Sequence, residues 1–316
     1  MPFTREVKQE LSRYEEKRSC CRSWELAAFL ILRGYLSIRE NSQTLIIQVD
    51  YINIARHLFS LLKTAGIQSP DVIRQLGRRL GKKCYLVQVA GADQVEALLV
   101  CLNLKESGQT NHLSREFRLT PRKQCCRRAF VRGAFLASGS LSVSGRSGYH
   151  LEIGCSYQED AAFLQKCLHF FSIKAFYRQH HGNSSIYLKD AEAIADFLRI
   201  ISAGNALLYL ENLRVVKSMR NQVNRQVNCD TANLQKIVNS AQQQLALIER
   251  LDDQVGLHSL PPAVREAARL RRRFPEASLK ELGSMFNPPV SKSGVNHRFR
   301  QLVKIAEAGG IKEGKS

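Results

Sequence analysis

Long apolar runs are missing from this chain. No stretch of its 316 residues approaches the about twenty consecutive apolar residues that a membrane span needs. The opening residues, MPFTREVKQELSR, are charged and lack the apolar centre of a secretory signal, so a cytoplasmic location is expected. Acidic residues are scarce: 28 Asp and Glu stand against 47 Lys and Arg, leaving a net charge of +19. At a pI near 9.8 such a chain draws polyanions by counterion release, and nucleic acid is the first partner expected. No C-x-x-C spacing occurs among the nine cysteines, which stand at Cys20, Cys21, Cys84, Cys101, Cys125, Cys126, Cys155, Cys167 and Cys229. Adjacent pairs are poor zinc chelators, so the cysteines are read as reduced, small hydrophobes, with no metal and no cofactor expected. The hydrophobic content of 44 % supports two or three globular domains with real cores and excludes a disordered segment.

What is present is a duplication. LAAFLILRG, Leu26 to Gly34, and VRGAFLASG, Val131 to Gly139, share a pattern of small and apolar residues ending at Gly, and each reads as a helix. After Gly34 come the alternating strand LIIQV (Leu45 to Val49), a helical run from Ala55 to Leu62, the strand CYLVQV (Cys84 to Val89) and a helix from Ala92 to Leu102. After Gly139 the order repeats: LEIGC (Leu151 to Cys155), Ala161 to Phe171, SIYL (Ser185 to Leu188) and Ala191 to Ile201. Alternation of this kind predicts half-buried antiparallel strands, whose other face, with Gln48, Gln88, Arg178 and Lys189, meets either water or a ligand. Ala27, Ala28, Gly133, Ala134 and Ala137 suit two helices in close approach, and Gly34 and Gly139 are expected to let the chain leave each helix.

The nine-residue pattern resembles the LAGLIDADG motif of homing endonucleases, in which paired helices on a pseudo-twofold axis each deliver one acid to a divalent metal. The metal-binding eighth position is occupied here by Arg33 and Ser138, neither a ligand for a hard cation. On that reading there are no catalytic residues.

Beyond Leu210 the sequence turns polar. Glu211 to Asn233 is read as a linker, with Asp230 or Thr231 capping a connecting helix that carries a stripe of Leu234, Ile237, Val238, Ala241, Leu245, Ile248 and Leu251. Arg220, Asn221, Asn224, Arg225 and Asn228 either grip a phosphate backbone or are solvated. Pro261 and Pro262 then open a helix whose apolar stripe is Ala263, Val264, Ala267, Leu270 and Phe274. Ser278 with Glu281 predicts a capping box for a short helix, and Asn287-Pro288-Pro289 breaks it. Ser291 or Ser293 caps a longer helix with Val295, Phe299, Leu302 and Ala306 inside and Ser293, Asn296, His297, Arg300 and Lys304 outside. That order is a helix-turn-helix, whose last helix enters the major groove. Asn296 suits adenine, Arg298 or Arg300 suits guanine or phosphate, and the helix start at Lys292 suits phosphate. His297, Ser278 and the basic run Arg271, Arg272 and Arg273 complete the expected DNA-contacting set.

Taken together, FTREVKQEL (Phe3 to Leu11), RGAFLASGSLS (Arg132 to Ser142), NRQVNCDTANL (Asn224 to Leu234) and SKSGVNHRFRQL (Ser291 to Leu302) resemble the WhiA family of bacterial regulators along nearly the whole chain. The expected fold is α+β: a duplicated LAGLIDADG-like αββαββα domain with pseudo-twofold symmetry over 1–210 (halves about 1–105 and 125–210), a linker and connecting helix over 211–255, and an all-α helix-turn-helix domain over 256–316. The resemblance implies a nucleoid-associated protein that binds double-stranded DNA sequence-specifically and controls transcription in cell division, chromosome segregation or sporulation. In filamentous relatives it implies a small iron-sulfur regulator as partner, and elsewhere division proteins. Two other readings stand beside this one: an interaction scaffold of the division machinery with incidental DNA contact, and a metal-dependent endonuclease drawing carboxylates from elsewhere.

Overall fold

Two helices rich in small residues, α2 (Ser19–Arg33) and α5 (Gln124–Ser138), pack side by side and form the centre of the first of two units, Met1–Lys217 and Ser218–Ser316. The computed structural model describes residues 2–39, 42–76, 83–102, 104–106, 113–114, 121–144, 148–180 and 182–308. A short helix α1 (Pro2–Leu11) precedes them, burying Phe3, Val7 and Leu11. Each central helix is followed by the same elements. In the first half these are β1 (Gly34–Arg39), β2 (Ser42–Val49), α3 (Ile52–Thr64), β3 (Asp71–Leu76), β4 (Lys83–Ala90) and α4 (Ala92–Cys101). Two short strands, β5 (Lys105–Glu106) and β6 (Leu113–Ser114), precede α5. The second half repeats the series as β7 (Gly139–Ser144), β8 (Gly148–Cys155), α6 (Gln158–His169), β9 (Phe176–His180), β10 (Asn183–Leu188) and α7 (Ala191–Ile200).

The two sheets are antiparallel with equivalent strand orders, β1-β2-β4-β3 and β7-β8-β10-β9, so the duplication read from the sequence is a duplication of topology. Register follows hydrophobic alternation. Leu45 faces Val89 and Ile47 faces Val87 in the first sheet, Leu151 faces Leu188 and Ile153 faces Ile186 in the second, and all eight are buried. Each such side chain removed from water contributes about 1.5–3 kcal/mol. The edge strands β3 and β9 lie outside the runs picked from the sequence. They carry exposed Val72, Ile73 and Phe176 and so lack a clean period-two signal.

The seam behaves as its small residues dictate. Ala27, Ala28, Gly133, Ala134 and Ala137 are buried, and a Cβ on Gly133 would run into the Glu25 carbonyl and stand 3.0 Å from the Ala28 Cβ. Gly34 and Gly139 end their helices for a different reason from the one expected. Both are extended (φ −86° and −73°), and it is collision of a Cβ with the carbonyls of Leu30 and Phe135, not a left-handed turn, that demands glycine.

The polar segment Glu211 to Asn233 is not an irregular linker: it lies inside α8, one helix over Gly204–Gln254, with Asp230 and Thr231 in its interior instead of at a cap. No Gly or Pro interrupts residues 205 to 255, and i,i+4 side-chain bonds such as Gln226 to Asp230 and Gln235 to Asn239 line its surface. Its start is capped by the Glu10 carboxylate, which accepts from the amides of Asn205 (2.8 Å) and Ala206 (3.1 Å). Of the expected stripe, Ala241, Ile248 and Leu251 are buried, whereas Leu234, Ile237 and Val238 are exposed. Among the described residues no helix is long and apolar enough to cross a membrane.

Candidate nucleic-acid interface

The second unit builds its end from α9 (Pro262–Arg273), α10 (Leu279–Ser284) and α11 (Lys292–Ala308). Local chemistry sets each boundary. Proline opens α9; the Ser278 hydroxyl accepts from the Glu281 amide while the Glu281 carboxylate accepts from the Ser278 amide at 2.7 Å, closing the expected capping box; and the Ser291 hydroxyl accepts from the Gly294 amide at 3.3 Å to start α11. Gly283 sits where a Cβ would strike the Val290 carbonyl, which permits the tight turn between α10 and α11. Val264, Ala267, Leu282, Phe286, Val295, Phe299, Leu302 and Ala306 form one core with Ile248 and Leu251 of α8. Ala263, expected in that stripe, is exposed, because Val264, Ala267, Ala268 and Arg271 occupy the inner face.

The core orients α11. Lys292, Ser293, His297, Arg300 and Lys304 are exposed on it, Asn296 is half-buried, and Glu307 is its one acidic residue. Arg298 leans inward: its guanidinium lies 4.3 Å from the centre of the Phe286 ring and 3.8 Å from the Glu266 carboxylate. Ser278 is engaged in its cap.

The basic run of α9 divides. Arg271 is 2 % exposed, which rules it out as a surface DNA contact. Its guanidinium donates to the Gln244 amide oxygen (2.9 Å) and to the carbonyls of Pro275 (3.3 Å) and Ala277, over the Phe299 ring. It ties α8, α9 and the turn before α10 together, and burial pulls it below its ordinary pKa. The sequence held a signal for this, since Arg271 lies seven residues from Val264 and hence on the same helical face. Arg272 is exposed but pairs with Asp252 at 2.6 Å. Arg273 is exposed above Phe274.

Of the sheet residues of the first unit expected to meet water or a ligand, Gln48 is exposed and Gln88 half-buried; Arg178 on β9 is exposed; Lys189 lies just past β10, over the Tyr187 ring at 5.3 Å. His150, Tyr187 and Phe176 form an aromatic row, with centroids 5.9 and 5.6 Å apart. At the C-terminal ends of the seam helices, Arg33 is exposed, and the Ser138 hydroxyl donates back to the Ala134 carbonyl at 3.4 Å. Arg33, Glu152 and Arg178 line a cavity of about 470 Å³ there, so a single carboxylate stands among two guanidinium groups.

Two features of the seam are not visible in a linear reading. Glu25 on α2 is fully buried and binds Arg132 on α5 (Nη2 to Oε2, 2.7 Å) and His57 on α3 (2.8 Å), while Arg132 also reaches Glu16 at 3.1 Å and lies over the Tyr14 ring. Burial works against ionisation of Glu25, but His57 and Arg132 together hold its carboxyl below the usual range. The nine cysteines are all free, as expected of reduced thiols. Cys84, Cys155 and Cys167 are buried singly as expected, but the two adjacent pairs, Cys20-Cys21 and Cys125-Cys126, come together at the N-terminal ends of α2 and α5 with all four sulfurs within 4.8 Å of one another.

Comparison with known proteins places this arrangement. Residues 19–105 match the WhiA N-terminal LAGLIDADG-like domain, 127–220 the WhiA LAGLIDADG-like domain, and 223–306 the WhiA C-terminal HTH domain. The chain is 42 % identical to the "Probable cell division protein WhiA" of Heliobacterium modesticaldum, over 98 % of this chain and 97 % of that protein. It is 40 % identical to the protein of the same description from Carboxydothermus hydrogenoformans, over 97 % of each. Among solved structures it resembles full-length DUF199/WhiA from Thermatoga maritima, with a TM-score of 0.59, 26 % identity and 98 % of both chains covered.

Proposed function

This chain belongs to the WhiA family, and from that premise we propose that it is a non-catalytic, sequence-specific DNA-binding regulator that reads its site through α11. One observation carries the reading: a packed and capped three-helix unit leaves Lys292, Ser293, His297, Arg300 and Lys304 exposed on one helix while spending its apolar residues inside. Arg300 and His297 are the base-edge candidates, with Asn296 beside them; Lys292, Ser293, Lys304 and Arg272 position the duplex through phosphate, with Arg298 and Ser278 flanking them. The regulated process on this reading is cell division, as the relatives are described as probable cell division proteins, with chromosome segregation or sporulation as the further roles that the family resemblance implies. Nucleoid association follows from the DNA contact.

The seam is unsuited to a nuclease's metal. Arg33 repels a hard cation, and Ser138 offers one neutral oxygen that already faces its own helix. Glu152 beside Arg33 and Arg178 does not replace the missing pair.

The test is selection of genomic fragments from a random pool by the full chain, compared with full-length Arg300→Ala and His297→Ala, with magnesium present and fragment ends checked. Enrichment of one motif, weakened by about 1–3 kcal/mol for each variant at unchanged thermal stability, supports the reading. Unselective retention by all three proteins overturns it in favour of a scaffold, and cut ends overturn its non-catalytic part.

A further inference from the structure

We infer that Cys20, Cys21, Cys125 and Cys126 form a closed four-thiolate site for one thiophilic divalent cation of the zinc class, bridging the two halves of the first unit. The two pairs occupy equivalent places, the second and third residues of α2 and α5, so the site lies where the duplication brings equivalent helix ends together. All four sulfurs lie within 4.8 Å of one another, and those of Cys20 and Cys21 are 4.0 Å apart. Four thiolates at a zinc–sulfur distance of about 2.3 Å stand about 3.8 Å apart at the corners of a tetrahedron, so only a small contraction is needed. A polynuclear iron-sulfur cluster spreads its cysteine sulfurs further apart than this group allows. A set of sulfur ligands with no oxygen donor selects soft cations over magnesium or calcium.

The surroundings suit such a site. Neither N-cap residue, Arg18 or Lys123, caps its helix with its own side chain, so the positive helix ends face the sulfurs, with the Glu16 carboxylate accepting from the Arg18 amide (3.2 Å) beside the first of them. Cys21 and Cys126 are buried with Ala129 under the partly buried Trp24, while Cys20 and Cys125 are half-exposed and give a cation its way in. Burial opposes ionisation of Cys125, yet hydrogen bonds with Cys21 and Arg18 hold its thiol below the ordinary value. Burial pushes the Cys126 thiol up to about 12, and a bound dication inverts that preference. On binding, each sulfur exchanges its proton for a bond to the metal and the protons go to solvent. Four protein ligands leave no open position, so the role is structural: the cation ties α2 to α5 at the ends opposite Arg33 and Ser138.

The experiment takes the full chain, purified under reductant and without chelator, and measures bound metal by elemental mass spectrometry, followed by cobalt exchange read by visible absorption. The expected result is one zinc per chain and the intense visible bands of tetrahedral cobalt with four thiolates. Cys20→Ser with Cys125→Ser loses the metal, whereas Cys101→Ser and Cys229→Ser, both at exposed positions elsewhere, keep it. The cobalt spectrum of the unmutated chain makes the test independent of how the double variant folds. A metal content equal to that of the double variant, a cobalt spectrum without thiolate bands, or cysteines recovered as disulfides between the two pairs overturns the proposal.

Discussion

The α2–α5 seam and α11 use the same residue types in opposite ways. In the seam, Arg132 and Glu25 are almost fully enclosed, and polar chemistry serves the contact between two halves. On α11, Lys292, Arg300 and Lys304 are left in water, and the packing is done by Val295, Phe299 and Leu302. A charged residue therefore costs or contributes according to where its helix faces. A variant in the first region should act on folding, and one in the second on binding.

The largest effect expected from that division is at Arg132. Arg132→Ala leaves Glu25 buried with His57 alone, and denaturant unfolding should report a loss of about 3–5 kcal/mol. The same network sets an acid limb. Because the folded pKa of Glu25 lies below its unfolded value, its contribution is complete above the ordinary carboxylate range and is lost as pH falls through the folded pKa. Glu25→Gln should lower stability at neutral pH and flatten the fall on the acid side, measured by thermal unfolding across pH. Next comes Arg271, which belongs with the seam although it stands in a basic run. Arg271→Ala should cost about 2–3 kcal/mol by leaving the carbonyls of Pro275 and Ala277 without their donor, and DNA binding should fail together with the unfolding transition of the second unit. Arg300→Ala should do the reverse, weakening specific binding by about 1–3 kcal/mol while leaving the melting curve in place. Equal thermal losses in Arg271→Ala and Arg300→Ala would erase the comparison. Smallest is Ser278→Ala, which removes one half of the capping box and should lower stability by about 1 kcal/mol.

Several of these assignments are legible in the chain. The capping box at Ser278 and Glu281, the serine before α11 and the proline at the start of α9 are local chemistry, and local chemistry is carried by neighbours in sequence. The central strands were equally plain, because Leu45 to Val49 and Leu151 to Cys155 alternate against a buried face. The edge strands β3 and β9 were not, since Val72, Ile73 and Phe176 are exposed and blur the alternation between faces. The polarity of Glu211 to Asn233 suggests a linker, but the segment holds no Gly or Pro, which is the better guide for a helix whose surface is solvated.

Sequence alone therefore determined the duplication, the order of elements, the small-residue seam and the helix-turn-helix, all of which rest on periodicity and on contacts between residues a few positions apart. Tertiary structure alone decided that Arg132 meets Glu25 across 107 positions, that Arg271 turns inward while Arg300 stays out, and that two cysteine pairs about a hundred residues apart share one site. Such contacts depend on how helices are placed against each other, and that placement is set by the whole core, which leaves no mark at any single position in the chain.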